Sequence, residues 1–513
     1  MAVFPFILAA IPLSTLLFVG IPVSIVLYWV VWIVYARTIH PLASVPGPFW
    51  ASTSRIWYMY RIYAGDMHHV QRQLHEKYGP IIRIAPNEVS TTDVSAIPKI
   101  YRNQQPLTKT DFYAVWGGGT ISKQLDTFSE TNERVHSNYR RIVNPVYTLS
   151  NVLKSEEYIN KVSALFVKRL GEHADRKEEI NLGVWLQMYA FDVIGEIFFG
   201  DMFGFLQNSE DHGAFIASLD ALMPVLCISA IGPTYLRPLI MSSAIAIPAA
   251  LRAVKAIDGI RKAAVVAAGK RLGDIEKGVA RRNDMLQQLF DIVREKGEKV
   301  NFSSDEVTLE AYVAMFAGSD TTAVAFRTTF YHLMKNPEKL AKAQAEIDAA
   351  FAAGSLSSPI KYSETTTKLP YICASIKEAM RMHPSVGLSM QRHAPDEGIE
   401  LSGKFIPKHY RVGLNPAVIH YDKDIYGQDA DEFKPERWLV SEEKWKAMDR
   451  HLLIFGAGTR TCIGKNISLV ELHTLVPEVL RHFDLKMAHD RPWTTSNRWF
   501  NKQTDVIVNV TRR

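Results

Sequence analysis

Between Phe455 and Gly464 the chain reads Phe-Gly-Ala-Gly-Thr-Arg-Thr-Cys-Ile-Gly, which puts one of only three cysteines in a loop with three glycines and a cation. Glycine accepts positive φ and has no side chain to collide, so such a loop brings backbone close to a flat ligand. A thiolate is a strong ligand for a haem iron and pushes electron density onto it, favouring O–O cleavage. Arg460, two residues before Cys462, is placed to pair with a carboxylate of the same ligand. Ile463, Ile467 and Val470 form an apolar series, so a helix is predicted just after the cysteine, where its N–H groups and dipole favour an anion. Gly456 and Gly458 also begin a Gly-x-Gly-x-x-Gly pattern, but Thr461 stands at its third glycine, which argues against a dinucleotide site. The ordinary alternative for a single cysteine is a buried, inert thiol.

The spacing Phe-x-x-Gly-x-Arg-x-Cys-x-Gly resembles the cysteine-ligand loop of the cytochrome P-450 superfamily, the haem-thiolate monooxygenases. Phe455, Gly458, Arg460, Cys462 and Gly464 match every fixed position. The resemblance implies a mainly α fold: one large helical domain with small β-sheets, preceded by an N-terminal transmembrane helix. It also implies haem b (iron protoporphyrin IX) with Cys462 as the axial ligand of the iron.

Further segments match the family in order. Ala317-Gly318-Ser319-Asp320-Thr321-Thr322 lies in a helix predicted from the Ser303-x-x-Glu306 capping box to Asn336, where Pro337 blocks continuation. A mid-helix glycine costs about 1 kcal/mol relative to alanine, and Gly318 is expected to open a groove for dioxygen and a water. Asp320 and Thr321 form an acid-alcohol pair suited to relaying protons; a threonine bonded back to its own helix is the plainer reading. Glu378-x-x-Arg381, with Arg437 of Pro435-Glu436-Arg437, resembles the family's buried structural triad, although Glu-x-x-Arg alone reads as a surface ion pair.

His136 and Arg140, four apart on one helix face, resemble a Trp-x-x-x-Arg pair that binds haem propionates, with histidine in the tryptophan's place as in fungal members. Arg392 matches another propionate-binding arginine. By the same resemblance the turn-rich interval 104–131, with Phe112, Tyr113, Val115, Trp116 and Gly117-Gly118-Gly119-Thr120, roofs the pocket; 385–390 and 496–500 add walls. Simple packing explains those aromatics equally well. The apolar stretch 215–250 reads as core or as a lid dipped in the bilayer. His68 and His69 are adjacent and share no helix face, so they read as surface residues.

Residues 1–36 contain no Asp, Glu, Lys or Arg. About 20 apolar residues cross the roughly 30 Å hydrocarbon core, and 13–35 supply them with Tyr28, Trp29, Trp32 and Tyr35 near one interface. The expected organisation is a membrane anchor over 1–36, a proline-rich hinge over 37–50 and a catalytic domain over 51–513. Three scattered cysteines exclude a disulfide framework. No Lys/Arg run or basic-aromatic array points to nucleic acid. The sequons at Asn301, Asn466 and Asn509 read as chance matches in a cytosol-facing body.

The function this implies is insertion of one oxygen atom from O2 into a lipophilic small molecule. Electrons come from NADPH through a flavoprotein reductase, at the endoplasmic reticulum membrane, in secondary or xenobiotic metabolism. Two rivals keep the haem: an isomerase or dehydratase needing no external electrons, and a non-catalytic haem-binding membrane protein. The acid-alcohol pair argues against the isomerase, and no signalling domain supports the third.

Overall fold

The computed structural model describes residues 13–117, 121–279 and 282–513. Seven helices matter for the site: α1 (Ile21–Thr38), α2 (Glu133–Val143), α3 (Leu182–Ile194), α4 (Phe215–Ile231), α5 (Ser304–Lys335), α6 (Pro370–Met382) and α7 (Lys465–His482). The small sheets expected among them are present, so the body is mainly α as predicted.

The apolar run Leu16–Thr38 is wholly unburied along its most apolar window. Two other helical runs are long and apolar enough to span, Leu182–Phe199 and His212–Ile231, but their mean hydropathy is lower, 1.3 and 2.0 against 2.4, and they lie 89% and 56% buried. Leu16–Thr38 is therefore the candidate anchor. The expected anchor residues 1–12, including Pro12, lie outside the described residues. The segment after it is clamped to the body rather than merely stiff. Arg83 is fully buried and donates to Ala36 O at 2.8 Å, Pro86 O at 2.8 Å and His40 Nδ1 at 3.0 Å. It thereby satisfies a carbonyl in the last turn of α1, where a helix lacks internal donors.

α5 starts as its sequence dictates. Ser303 Oγ accepts the N–H of Asp305, while Glu306 accepts the N–H of Ser303 at 2.7 Å. The helix runs through the middle of the body, with α3 packed against it. At Gly318 an added Cβ would lie 2.8 Å from Ile194 Cδ1. This corrects the expectation of a dioxygen groove: the missing side chain makes room for α3.

Strands β1 (Ile81–Ala85) and β2 (Glu88–Thr91) form an antiparallel pair. The short strands β3 (Ile180–Asn181), β4 (Arg392–His393), β5 (Ile399–Leu401), β6 (Lys404–Ile406) and β7 (Arg411–Gly413) follow. β2 pairs with β7 in parallel and β7 with β4 in antiparallel sense, which fixes Arg392 at a sheet edge. Towards the C-terminus come β8 (Phe483–Met487), β9 (Thr494–Arg498), β10 (Phe500–Thr504) and β11 (Ile507–Arg512). β9 and β10 make a hairpin, and β11 joins β3 and β8.

The stretch 215–250 divides between its two readings. α4 contributes Leu219, Leu222 and Cys227 to the interior, whereas Tyr235, Leu239 and Ile245 are exposed. His68 is buried and only His69 exposed, which corrects the surface reading of the pair.

Candidate functional site

Cys462 sits between a tight turn at Gly458–Arg460 and the start of α7. Its N–H donates to Phe455 O at 2.8 Å, closing the loop on itself. Gly458 has φ +68°, and a Cβ there would lie 2.2 Å from Tyr101 O. Conformation and packing both demand glycine. At Gly464 an added Cβ would meet only Cys462 Sγ, at 4.0 Å, so the approach to the sulfur stays open. The side chain of Cys462 is accessible. Burial by the surrounding protein pushes its thiol up, opposed by the N–H of Gly464, the Arg140 charge and then Lys465. Those opposing groups are the ones that favour a thiolate at a helix start.

Basic side chains converge near this loop from three segments, α2, β4 and the stretch around Lys109. His136 and Arg140 lie on α2, and His136 is only 1% exposed with neither ring nitrogen hydrogen-bonded. Burial, with Arg460, Lys109, Arg140 and Arg392 around it, holds His136 down to about 2. Arg392, on β4, donates to Gln391 O at 2.8 Å and Tyr113 Oη at 3.2 Å. Lys109 bridges to Arg392 through backbone pairing, and its amine donates to Phe128 O at 2.6 Å. That amine also lies 4.3 Å and 4.6 Å from the ring centroids of Tyr113 and Phe128. Burial, then Arg392 and Arg460, hold Lys109 well below the usual lysine range.

Arg460 stands in the same cluster, acting on His136 and Lys109 and acted on by Arg392. Its guanidinium is taken by the Glu133 carboxylate, at 2.6 Å and 3.1 Å, and by Glu130 O at 2.8 Å. Among the described residues neither Lys109 nor Arg392 has an acidic partner within ion-pair distance. Buried cations without a counter-charge are costly, so this cluster suits an anionic group. Lys109 escaped the sequence reading because a lysine in a turn-rich stretch is ordinarily solvated; no local pattern marks it.

Asp320 and Thr321 occupy successive positions of α5 and point to different partners. Asp320 is buried and accepts from Gln187 Nε2, which is in turn ordered by Arg327 bonding Gln187 Oε1 at 2.8 Å. Burial raises the Asp320 carboxyl. Thr321 Oγ1 donates to Ala317 O at 2.7 Å, so the back-bonded arrangement is the one present, with no direct bond to Asp320. Ser385 Oγ donates to Thr321 O at 2.7 Å and ties the expected pocket wall to the helix.

The aromatic residues of the roof interval do meet. Phe112, Trp116 and Phe128 surround Trp499, at 4.9–6.4 Å between ring centroids. Gly118, Gly119 and Thr120 of that interval lie outside the described residues. Behind the cysteine loop, Glu378 is fully buried and holds Arg381 at 2.9 Å, Arg437 at 3.2 Å and Trp438 Nε1 at 2.8 Å.

A family model for cytochrome P-450 matches residues 45–509. The chain belongs to the cytochrome P-450 family. It is 44% identical to the cytochrome P-450 monooxygenase gsfF of Penicillium aethiopicum, over 95% of this chain and 96% of that protein. The cytochrome P-450 monooxygenase cicH of Emericella nidulans is 35% identical, over 94% and 97% respectively. A pisatin demethylase of Fusarium vanettenii is 32% identical, over 94% and 91%. The chain is thus a monooxygenase of the oxidoreductase class, and the cofactor of its family is haem b with cysteine thiolate ligation. The residues present fit that group. An accessible thiol stands at a helix start, and buried cations and a buried unpartnered imidazole await carboxylates.

Proposed function

We propose that this cytochrome P-450 uses Cys462 as the axial haem ligand and inserts one oxygen atom from O2 into a lipophilic small molecule. NADPH supplies the electrons through a flavoprotein reductase. The haem, when bound, supplies the activation of dioxygen; the chain supplies position, charge and protons. Lys109, His136, Arg140 and Arg392 are assigned to the haem carboxylates, with Arg460 bracing α2 through Glu133 beside them. Phe455, Gly458 and Gly464 shape the loop under the sulfur. Glu378, Arg381 and Arg437 fix the layer behind it. Asp320 and Thr321 are assigned to proton delivery, which requires Thr321 Oγ1 to leave Ala317 O and turn towards the reacting oxygen.

The observation that carries the assignment is the Cys462 loop, with its accessible sulfur, its helix-start N–H groups and its glycine forced against Tyr101 O. Lipophilic substrates agree with the aromatic roof. Anchoring by Leu16–Thr38 supports the endoplasmic reticulum membrane as its location, with the body on the cytosolic face. Secondary metabolism is the setting the fungal relatives favour.

The test is the reduced carbon monoxide difference spectrum of the full chain in microsomes, beside Cys462→Ala. A strongly red-shifted Soret band that the variant loses is the expected result. A band typical of nitrogen-ligated haem in the wild type would remove Cys462 from the iron. Product formation that needs both NADPH and reductase then separates oxygen insertion from an electron-free rearrangement.

A further inference from the structure

Glu310 lies on α5 about three turns before Thr321, and the site described above makes no use of it. Its side chain is only 4% exposed. One carboxylate oxygen accepts from Tyr139 Oη at 2.9 Å, and the other accepts from Tyr147 Oη. Both tyrosines are buried, and neither hydroxyl makes another hydrogen bond among the described residues. Tyr139 belongs to α2, on the stripe of His136 and beside Arg140. Tyr147 lies just beyond α2, and its carbonyl accepts from Asn466 Nδ2 at 2.8 Å. Asn466 is in the first turn of α7, four residues past Cys462. One carboxylate therefore joins the central helix to the helix of His136 and Arg140 and, through Tyr147, to the helix that follows the cysteine.

We propose that Glu310 is a positioning residue for haem retention: ionised, it holds α2, with His136 and Arg140, in fixed register against the first turn of α7. An ionised carboxylate only accepts, so both hydroxyls can donate to it at once, and hydrogen bonds to a charge are the stronger kind. A protonated acid must itself donate at one oxygen. One buried tyrosine proton is then left without an acceptor, and a charge-assisted tie is replaced by a weaker neutral one.

The group is set to make this change near neutrality. Burial raises the carboxyl to about 7 against the pull of the Tyr147 and Tyr139 hydroxyls, and Asp126, in the loop ahead of α2, adds to the rise. Glu306, one turn earlier on α5, acts on Tyr139 in the same sense. No cation is among the groups acting on Glu310. The inference rests on the family's cofactor and the seating of α2, not on the substrate or reaction proposed above.

Haem transfer from the detergent-solubilised full chain to excess apomyoglobin, followed between pH 6 and 8.5, tests it. The wild type should lose haem faster as pH falls through about 7. Glu310→Gln should lose it about tenfold faster or more at pH 8, the loss of one charge-assisted bond, and show no step near 7. Ile347→Ala, a core change in the helix Pro337–Ala352, should leave the step in place whatever it does to the overall rate. A Glu310→Gln rate within twofold of wild type at pH 8, or an unchanged step, would overturn the proposal. If Glu310→Gln does not fold, Tyr147→Phe decides: faster loss at pH 8 supports the clamp, and an unchanged rate overturns it.

Discussion

His420 Nε2 accepts the N–H of Leu453 at 2.9 Å, and this contact links the Glu378 triad to the cysteine loop. On its other side, His420 Nδ1 bonds Arg381 O at 3.0 Å, while Arg381 Nη1 donates to His420 O at 2.6 Å. The acceptor role of Nε2 puts the ring proton on Nδ1. Leu453 O then accepts the N–H of Gly456 at 3.0 Å, at the start of the loop that ends on Cys462. The neutral imidazole thus transmits the rigidity of the buried triad to the cysteine loop.

This predicts a specific acid limb. Burial and then Arg381 hold His420 down to about 3, so it stays neutral in the fold. An unfolded histidine takes its proton near 6.5. Between those values the unfolded chain binds more protons, so the contribution of His420 is full above about pH 6.5 and is lost as pH falls towards 3. His420→Ala should lower the thermal midpoint at pH 7.5, because a buried N–H left without a partner costs about 1–3 kcal/mol. Its midpoint should then fall less steeply than the wild type's below pH 6.5. Thermal melts followed by circular dichroism from pH 5 to 8 decide this, and parallel curves would exclude the assigned role.

Glu378→Ala should prevent recovery of haem-loaded protein. It leaves two buried guanidinium groups, of Arg381 and Arg437, without their shared carboxylate. Removing one partner of a buried ion pair costs about 3–5 kcal/mol. Lys342→Ala, which breaks an exposed ion pair with Glu436 and a cation–ring contact with Tyr371, should load haem normally. The ratio of haem to polypeptide after purification is the readout, and a normal ratio in Glu378→Ala would contradict the assignment.

How much could be read from the chain follows from how local each signal is. The capping box at Ser303, the Pro337 stop and the loop around Cys462 are set by residues within a few positions of one another. All three appear as expected. Glu378, Arg381 and Arg437 lie in distant segments linked only by the family's pattern, and the structure brings them together. Lys109, Glu310 and His420 had no such signal, because burial by remote segments turns an ordinary polar residue into a site element. Gly318 was read for the space it leaves, but only the position of Ile194 on another helix shows what fills that space. His68 failed for the same reason: a neighbour in sequence says little about burial.

Gly318→Ala should destabilise the body by about 1–3 kcal/mol, the usual cost of overpacking. The new methyl would meet Ile194 Cδ1 at 2.8 Å, so Ile194→Val should recover part of the loss when combined with it. A double-mutant cycle on thermal midpoints measures the recovery. Additive effects would mean that the glycine does not serve the packing of α3 on α5.

Thr321 offers the most direct test of the proton route. Its hydroxyl is bonded to Ala317 O, while Ser385 holds its carbonyl. The backbone is therefore fixed, and only rotation of the side chain is needed to present the hydroxyl elsewhere. Thr321→Ala should keep the carbon monoxide spectrum and haem content but release more peroxide per NADPH oxidised, severalfold above wild type. Thr321→Ser keeps a hydroxyl and should stay near wild type, whereas Thr321→Val keeps the shape without it and should behave like alanine. The readout is peroxide formed against NADPH consumed with the reductase present. Equal ratios in wild type, Thr321→Ala and Thr321→Val would take Thr321 out of proton delivery and leave Asp320 to act without it.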